Sequence, residues 1–208
     1  HRHTTSYCRY GFPYKKDTGF LTSLPNVHLA EPCQDRFQCA TKRLTGAHAA
    51  LAKGGPAARL NSVPPRIVET FLDAWLLCSR STHTHIFIDA FSGWGSVAAA
   101  AAARPGVVVF CNDFLEGSGG RPSTDLDLDL ERDDGALGKL VARAVADSGA
   151  AGGAASILIW LSTPCETYSI NGRSVHRPRG CERSALAARH DAMNLSLARQ
   201  LLQLAEGG

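Results

Sequence analysis

The chain of 208 residues has no run of about 18 or more apolar residues, which by length excludes a membrane-spanning helix. A secretory signal is also missing, because the opening HRHTTSYCRY is polar and aromatic with no apolar core. No methionine opens the chain, so it is read as a fragment or a processed product. A large excess of charge of one sign is missing, with 22 Lys and Arg against 19 Asp and Glu, and the net value of +3 by itself says little about nucleic acid. Cysteine is present but unpatterned. Seven residues, an odd count, argue against a secreted disulfide framework, and an intracellular, non-secreted protein is expected. Cys33 and Cys39, with His48 and Cys8, are zinc-ligand types. The five-residue gap from Cys33 to Cys39 is looser than the usual spacing of structural zinc sites, and no metal is assigned.

What is present fits one α/β domain, since 208 residues at 44% hydrophobic can bury a sizeable core. The most telling stretch is ILIWLSTPCETYS, Ile157 to Ser169. Ile157 to Leu161 reads as a central strand covered on both faces, and Pro164, lacking an N–H, ends the ladder. Cys165 is thereby delivered to the carboxyl end of a strand, where open α/β sheets bind ligands. It is a candidate nucleophile, weighed against the ordinary role of a small buried hydrophobe.

A second unit, HIFIDAFSGWGS from His85 to Ser96, reads as strand, glycine turn and helix start. Gly93 and Gly95 permit a tight turn and close backbone approach, Ser92 or Ser96 is expected to cap the helix Val97 to Ala103, and that helix start suits a polar or anionic part of a cofactor. About one helix later comes VVVFCND, Val107 to Asp113, a strand ending in a carboxylate placed to accept hydrogen bonds from a ribose diol. Further helices are expected at Ile67 to Leu77, opened by Pro64 and Pro65, at Leu137 to Ala146, and at Ser184 to Ala205. In the last, Leu186, Met193, Leu197, Leu201 and Leu204 form a core stripe. Gly149 to Ala155 reads as a flexible connection and Gly117 to Asp134 as a loop. Basic residues gather in two stretches, Lys15 to Arg66 and Arg173 to Arg183, on either side of the acids of Asp125 to Asp134, a distribution that suits phosphate contacts.

These residues together resemble the cytosine-5 DNA methyltransferase family. DAFSGWGS, Asp89 to Ser96, is similar to the family's cofactor loop; CND, Cys111 to Asp113, to its ribose-binding acid; STPCETYS, Ser162 to Ser169, to its catalytic Pro-Cys loop. The three stand in family order. SYCRYGFPYKKDTGFLTSL, Ser6 to Leu24, resembles a segment that follows the catalytic loop in the family but precedes it here. The order reads as circularly permuted, or as a window across the boundary of a longer or repeated gene. Residues 1–77 resemble the family's closing part, 78–84 a linker, and 85–205 its opening cofactor and catalytic part.

The resemblance implies a Rossmann-like class I methyltransferase fold, a mostly parallel sheet with helices on both faces, to which His1 to Leu24 adds strands. It implies S-adenosylmethionine as cofactor and duplex DNA with a flipped cytosine as partner, hence a nuclear or nucleoid setting. Cys165 would be the nucleophile, with Pro164 and Lys16 beside it in catalysis. Asp89, Phe91, Ser92, Gly93, Gly95 and Asp113 would hold the cofactor, with Asp125 or Asp127 reaching an adenine amino group. Lys15, Arg173 and Arg177 would contact DNA. Two features depart from the family pattern. Its Glu-Asn catalytic pair does not occur in the sequence, and Tyr14, Lys15, Lys16 and Thr18 stand where glutamine and arginines are usual, lysine being a point charge rather than a fork. The alternatives are a catalytically degenerate relative that binds nucleic acid or cofactor, and an α/β enzyme acting on RNA, on a small molecule or through another thiol chemistry.

Overall fold

The computed structural model describes residues 1–34, 39, 62–79, 83–92, 95–113, 128–130, 133, 135–150, 154–162, 182 and 184–207. Within them the chain runs β1 (Arg2–Ser6), a 3-10 turn (Tyr7–Tyr10), β2 (Asp17–Leu21), α1 (Pro65–Cys78), β3 (Thr84–Asp89), α2 (Ser96–Ala102), β4 (Val107–Cys111), α3 (Ala136–Asp147), β5 (Ala155–Trp160) and α4 (Ala185–Gly207). The protein is α/β. β3, β4 and β5 form a parallel sheet in the order β4-β3-β5, with Ile86 opposite Val108 on one side and Ile157 on the other.

Alternation along β3 builds two cores, because successive side chains of a strand point to opposite faces. Phe87 joins Ile67, Val68, Phe71, Leu72 and Trp75 of α1 with Val97 and Ala101 of α2. Ile86 and Ile88 join Leu137, Leu140 and Ala144 of α3 with Met193 and Leu197 of α4. Helices therefore cover both faces, the three-layer arrangement compatible with a Rossmann-like fold. The last expected helix keeps most of its stripe: Met193 and Leu197 are buried and Leu201 and Leu204 pack beside them, while Leu186 is half-buried and joins neither core. None of the described helices is long and apolar enough to cross a membrane.

Two expectations need correction. β5 meets both cores, Leu158 and Trp160 on one face and Ile157 and Ile159 on the other, but it is not central: among the described residues it has a neighbour on one side only, and only Trp160 of its six residues is buried. β3 holds the central place, with four consecutive buried residues. Nor do the N-terminal strands extend the parallel sheet. β1 and β2 pair with each other, antiparallel, in a separate two-stranded sheet.

That hairpin joins the rest through rings. Phe20 of β2 lies 5.4 Å from Phe71 of α1 and 5.9 Å from Trp160 of β5, and Phe71 and Trp160 meet edge to face at 5.3 Å. Tyr7 and Tyr14 enter the same apolar cluster. α1 is tied to the start of the sheet by Trp75, whose Nε1 donates to Ser156 Oγ at 2.9 Å and whose ring stands edge-on to His85. The helix reaches Cys78 and β3 begins at Thr84, so the expected linker of 78–84 gives a residue to each neighbour.

Since a two-stranded ribbon is marginal alone, the Phe20 contact should hold the hairpin in place. Phe20→Ala is expected to lower stability by about 2 kcal/mol, because the ring is half-buried rather than fully enclosed. Equilibrium denaturation would read the loss, and unchanged stability would show that the aromatic contact does not anchor the hairpin.

Candidate functional site

The carboxyl ends of β3 and β4 lie side by side, with Asp89 opposite Cys111 in register. β3 ends in Asp89, which is 1% exposed although a carboxylate prefers water. Its Oδ2 accepts the Ala98 N–H at 3.2 Å. That N–H belongs to the first turn of α2, one of the donors a helix leaves unpaired, so the strand-end acid caps the helix from outside it. Neither expected serine does so, and no side chain of the N-cap residue contributes. Ser96 Oγ instead accepts the Val63 N–H at 3.3 Å, and Ser92 acts through its carbonyl, which accepts the Gly95 N–H at 2.7 Å. Gly95 sits at φ +71, and a Cβ there would meet nothing within 4 Å, so glycine is needed for the turn's conformation and not for space.

The other Asp89 oxygen, Oδ1, is buried with no hydrogen-bond partner. Burial pushes the Asp89 carboxyl up from 3.8 to about 7, against the opposing Ala98 hydrogen bond and with help from the charge of Asp113. Asp113 follows β4 and is half-buried. Two carboxyl groups thus converge beyond neighbouring strands, one of them held near neutrality. Phe91 is half-buried against the α3–α4 core and Ser92 is 9% exposed, so both belong to the folded turn.

Asn112 organises this edge, and its role was not foreseen. Its Nδ2 donates to the Ala90 carbonyl at 3.2 Å and the Leu128 carbonyl at 3.1 Å, and its Oδ1 accepts the Leu128 N–H at 2.9 Å. Its backbone N–H reaches the Asp89 carbonyl at 2.9 Å, and its carbonyl accepts the Ser92 N–H at 3.0 Å. One buried residue clamps the β3 turn to β4 and to the chain at Leu128. Its sequence signal was only a polar residue between a strand and an acid, which reads equally well as solvated.

β5 delivers the chain to Ser162, whose Oγ accepts the Trp160 Nε1 hydrogen at 2.9 Å. Gly93, Asp125, Asp127, Pro164, Cys165, Arg173 and Arg177 lie outside the described residues, as does His48. Lys15 and Lys16 occupy the connection into β2. Lys15 Nζ stands 3.3 Å from Asp17, and Lys16 Nζ lies 5.3 Å from the centre of the Tyr7 ring, so the two point charges are already engaged within the hairpin. The fold also gathers Cys8, Cys33 and Cys39 into one buried group, a convergence that the Cys33–Cys39 spacing did not show.

Two outcomes test this account. Asn112→Ala leaves three backbone groups without their side-chain partner, one buried and two part-buried, and is expected to cost on the order of 2 kcal/mol in denaturant unfolding, above a surface substitution. Asp89 sets a pH dependence. Its folded value is raised, so between about pH 4 and about pH 7 the native chain holds a proton that the unfolded chain has lost. This group's contribution to stability therefore falls as pH rises through that window, by on the order of 4 kcal/mol, and is flat above it. Asp89→Asn should remove that slope from unfolding free energies measured across the window; an identical slope in the variant would refute the assignment.

Compared with protein-family models, with curated proteins and with solved structures, the chain gives no match.

Proposed function

We propose that the protein transfers a methyl group from S-adenosylmethionine to C5 of cytosine in DNA, through a covalent adduct of Cys165 at C6. The observation that carries the reading is the shared edge: the glycine turn after β3, the acid after β4 and the segment leading from β5 to the Pro-Cys pair all leave the same end of one parallel sheet. Such an edge, at the strand where connections diverge to both sides, is where open α/β sheets bind nucleosides. The donor chemistry fits the cofactor. Asp89 Oδ1 is a buried acceptor without a partner, beside the Asp113 carboxyl, and the two suit the hydroxyl and ammonium hydrogens of an amino-acid-bearing nucleoside. The near-neutral Asp89 would ionise on meeting such a cation.

When bound, S-adenosylmethionine supplies an electrophilic methyl carbon on a positive sulfur. The protein's task is to make C5, a poor nucleophile, electron-rich. The Cys165 thiolate would add to C6, pushing the ring electrons to C5, and would leave again when C5 gives up its proton. A thiolate needs a positive setting, and Lys16 and Arg173 are the candidate charges. The target base must leave the duplex stack to reach a cysteine, while Lys15 and Arg177 would hold the backbone phosphates. The hairpin that carries Lys15 and Lys16 packs through Phe20 on Trp160 at the end of β5, which favours a permuted arrangement in which this early segment serves the later Cys165 loop.

One observation favours a second reading, a relative that binds cofactor or nucleic acid without catalysis: no Glu-Asn pair occurs in the sequence to assist N3 of the ring. A trapping experiment separates the two. The purified chain, incubated with S-adenosylmethionine and duplex DNA carrying 5-fluorocytosine, is expected to form a covalent adduct that Cys165→Ala abolishes. Cofactor binding without an adduct would replace the enzymatic reading with the binding module, and an adduct surviving the substitution would remove Cys165 as nucleophile.

A further inference from the structure

The three thiols of Cys8, Cys33 and Cys39 are 3%, 6% and 1% exposed, and they form a cluster with no member of either apolar core. Buried cysteines that act as filler belong to the surrounding hydrophobic packing. These pack on each other.

The fold brings them together by several independent devices. Cys8 lies in the 3-10 turn directly after β1. The strap that follows β2 returns to that turn: Thr5 Oγ1 donates to the Ala30 carbonyl at 2.6 Å, the Ala30 N–H donates to Tyr10 Oη at 2.8 Å, and the Cys33 N–H donates to Ser6 Oγ at 2.8 Å. Ser6 Oγ in turn donates to Asp17, so its orientation is fixed from the other side. Cys33 is thereby held beside Cys8 by hydrogen bonds between the strap's backbone and side chains of β1 and the turn.

We propose that Cys8, Cys33 and Cys39 bind a structural zinc ion that staples the strap to the N-terminal hairpin. All three sulfurs lie within 4.8 Å of one another. Tetrahedral zinc with Zn–S bonds of about 2.3 Å requires sulfurs about 3.8 Å apart, so a contraction of at most about 1 Å completes the geometry. A disulfide would engage only two of the three and leave the third buried beside it. A divalent ion takes such thiols as thiolates, so its uptake releases protons. Among the described residues no fourth His, Cys, Asp or Glu donor joins the group, so the fourth position is open to another donor. A small two-stranded sheet has little core of its own, and a metal is a common way to stabilise such a piece.

The site lies apart from the Cys165 loop in chemistry, and its test does not depend on methyl transfer. The full chain is expressed in zinc-supplemented medium, purified under reducing conditions, and its metal is measured by elemental analysis. One zinc per chain is expected, lost in Cys8→Ser, Cys33→Ser and Cys39→Ser and retained in Cys78→Ser, an exposed cysteine outside the cluster. Because the serine variants can fail to fold, the unaltered chain is also exchanged into cobalt(II). Thiolate-to-cobalt charge-transfer absorption in the near ultraviolet and tetrahedral ligand-field bands in the red are expected. A chain without stoichiometric zinc and without these bands overturns the proposal, as does a disulfide between two of the three cysteines found by mass spectrometry of the freshly purified protein.

Discussion

The carboxyl edge of the sheet depends on one buried amide. Without the Asn112 side chain, the turn after β3 would be joined to β4 only by strand pairing that ends at Asp89 and Cys111 and by the main-chain bonds of residue 112 to Asp89 and Ser92. With it, Ala90 and Leu128 are also fixed to that residue, Ala90 by a buried hydrogen bond and Leu128 by two part-buried ones. A fully satisfied buried amide is worth more than its individual bonds, because removing it leaves several backbone groups without water or partner. Asp89 and Gly95 keep their places because the peptide between them is held at both ends.

Asp89 shows how the edge is kept chemically receptive. A carboxyl group that only capped α2 would gain most from being ionised, since a helix start favours negative charge. Burial works against this and prevails, leaving the group near its midpoint around neutral pH with one oxygen unspent. The chain therefore carries at this edge an acceptor whose stabilisation is incomplete until a donor arrives. Local stability and readiness to bind oppose each other at the same atom.

Much of this architecture was legible in the residues. β-branched runs bounded by turn residues marked β3 and β4, and apolar residues at helical spacing marked α1, α3 and α4 to within a residue or two. Those signals are local. The misreadings concern properties fixed by neighbours distant in sequence: β5 has the apolar composition of a central strand yet stands beside a single described partner, and the hairpin strands pair with each other. The cap was assigned to Ser92 or Ser96 because a nearby hydroxyl is the usual solution, whereas the carboxylate comes from the preceding strand. Cys8 lies too far from Cys33 in sequence for spacing to join them, and only the antiparallel return of β2 and its strap does so.

The order of segments along the chain matters less to the packed state than their contacts. Phe20 and Trp160 are far apart in sequence but meet at 5.9 Å, and Trp75 bonds Ser156 across a comparable gap. Loop-closure cost rises only logarithmically with length, so an early hairpin can dock on a late strand at little more cost than a neighbouring one. Two strands alone scarcely hold together, so the hairpin depends on contacts beyond its own ladder. Tying the strap to the turn through Ser6, Thr5 and Tyr10 supplies part of that support within the first 33 residues. The early segment is therefore held from two sides, by its own strap and by the rings of α1 and β5.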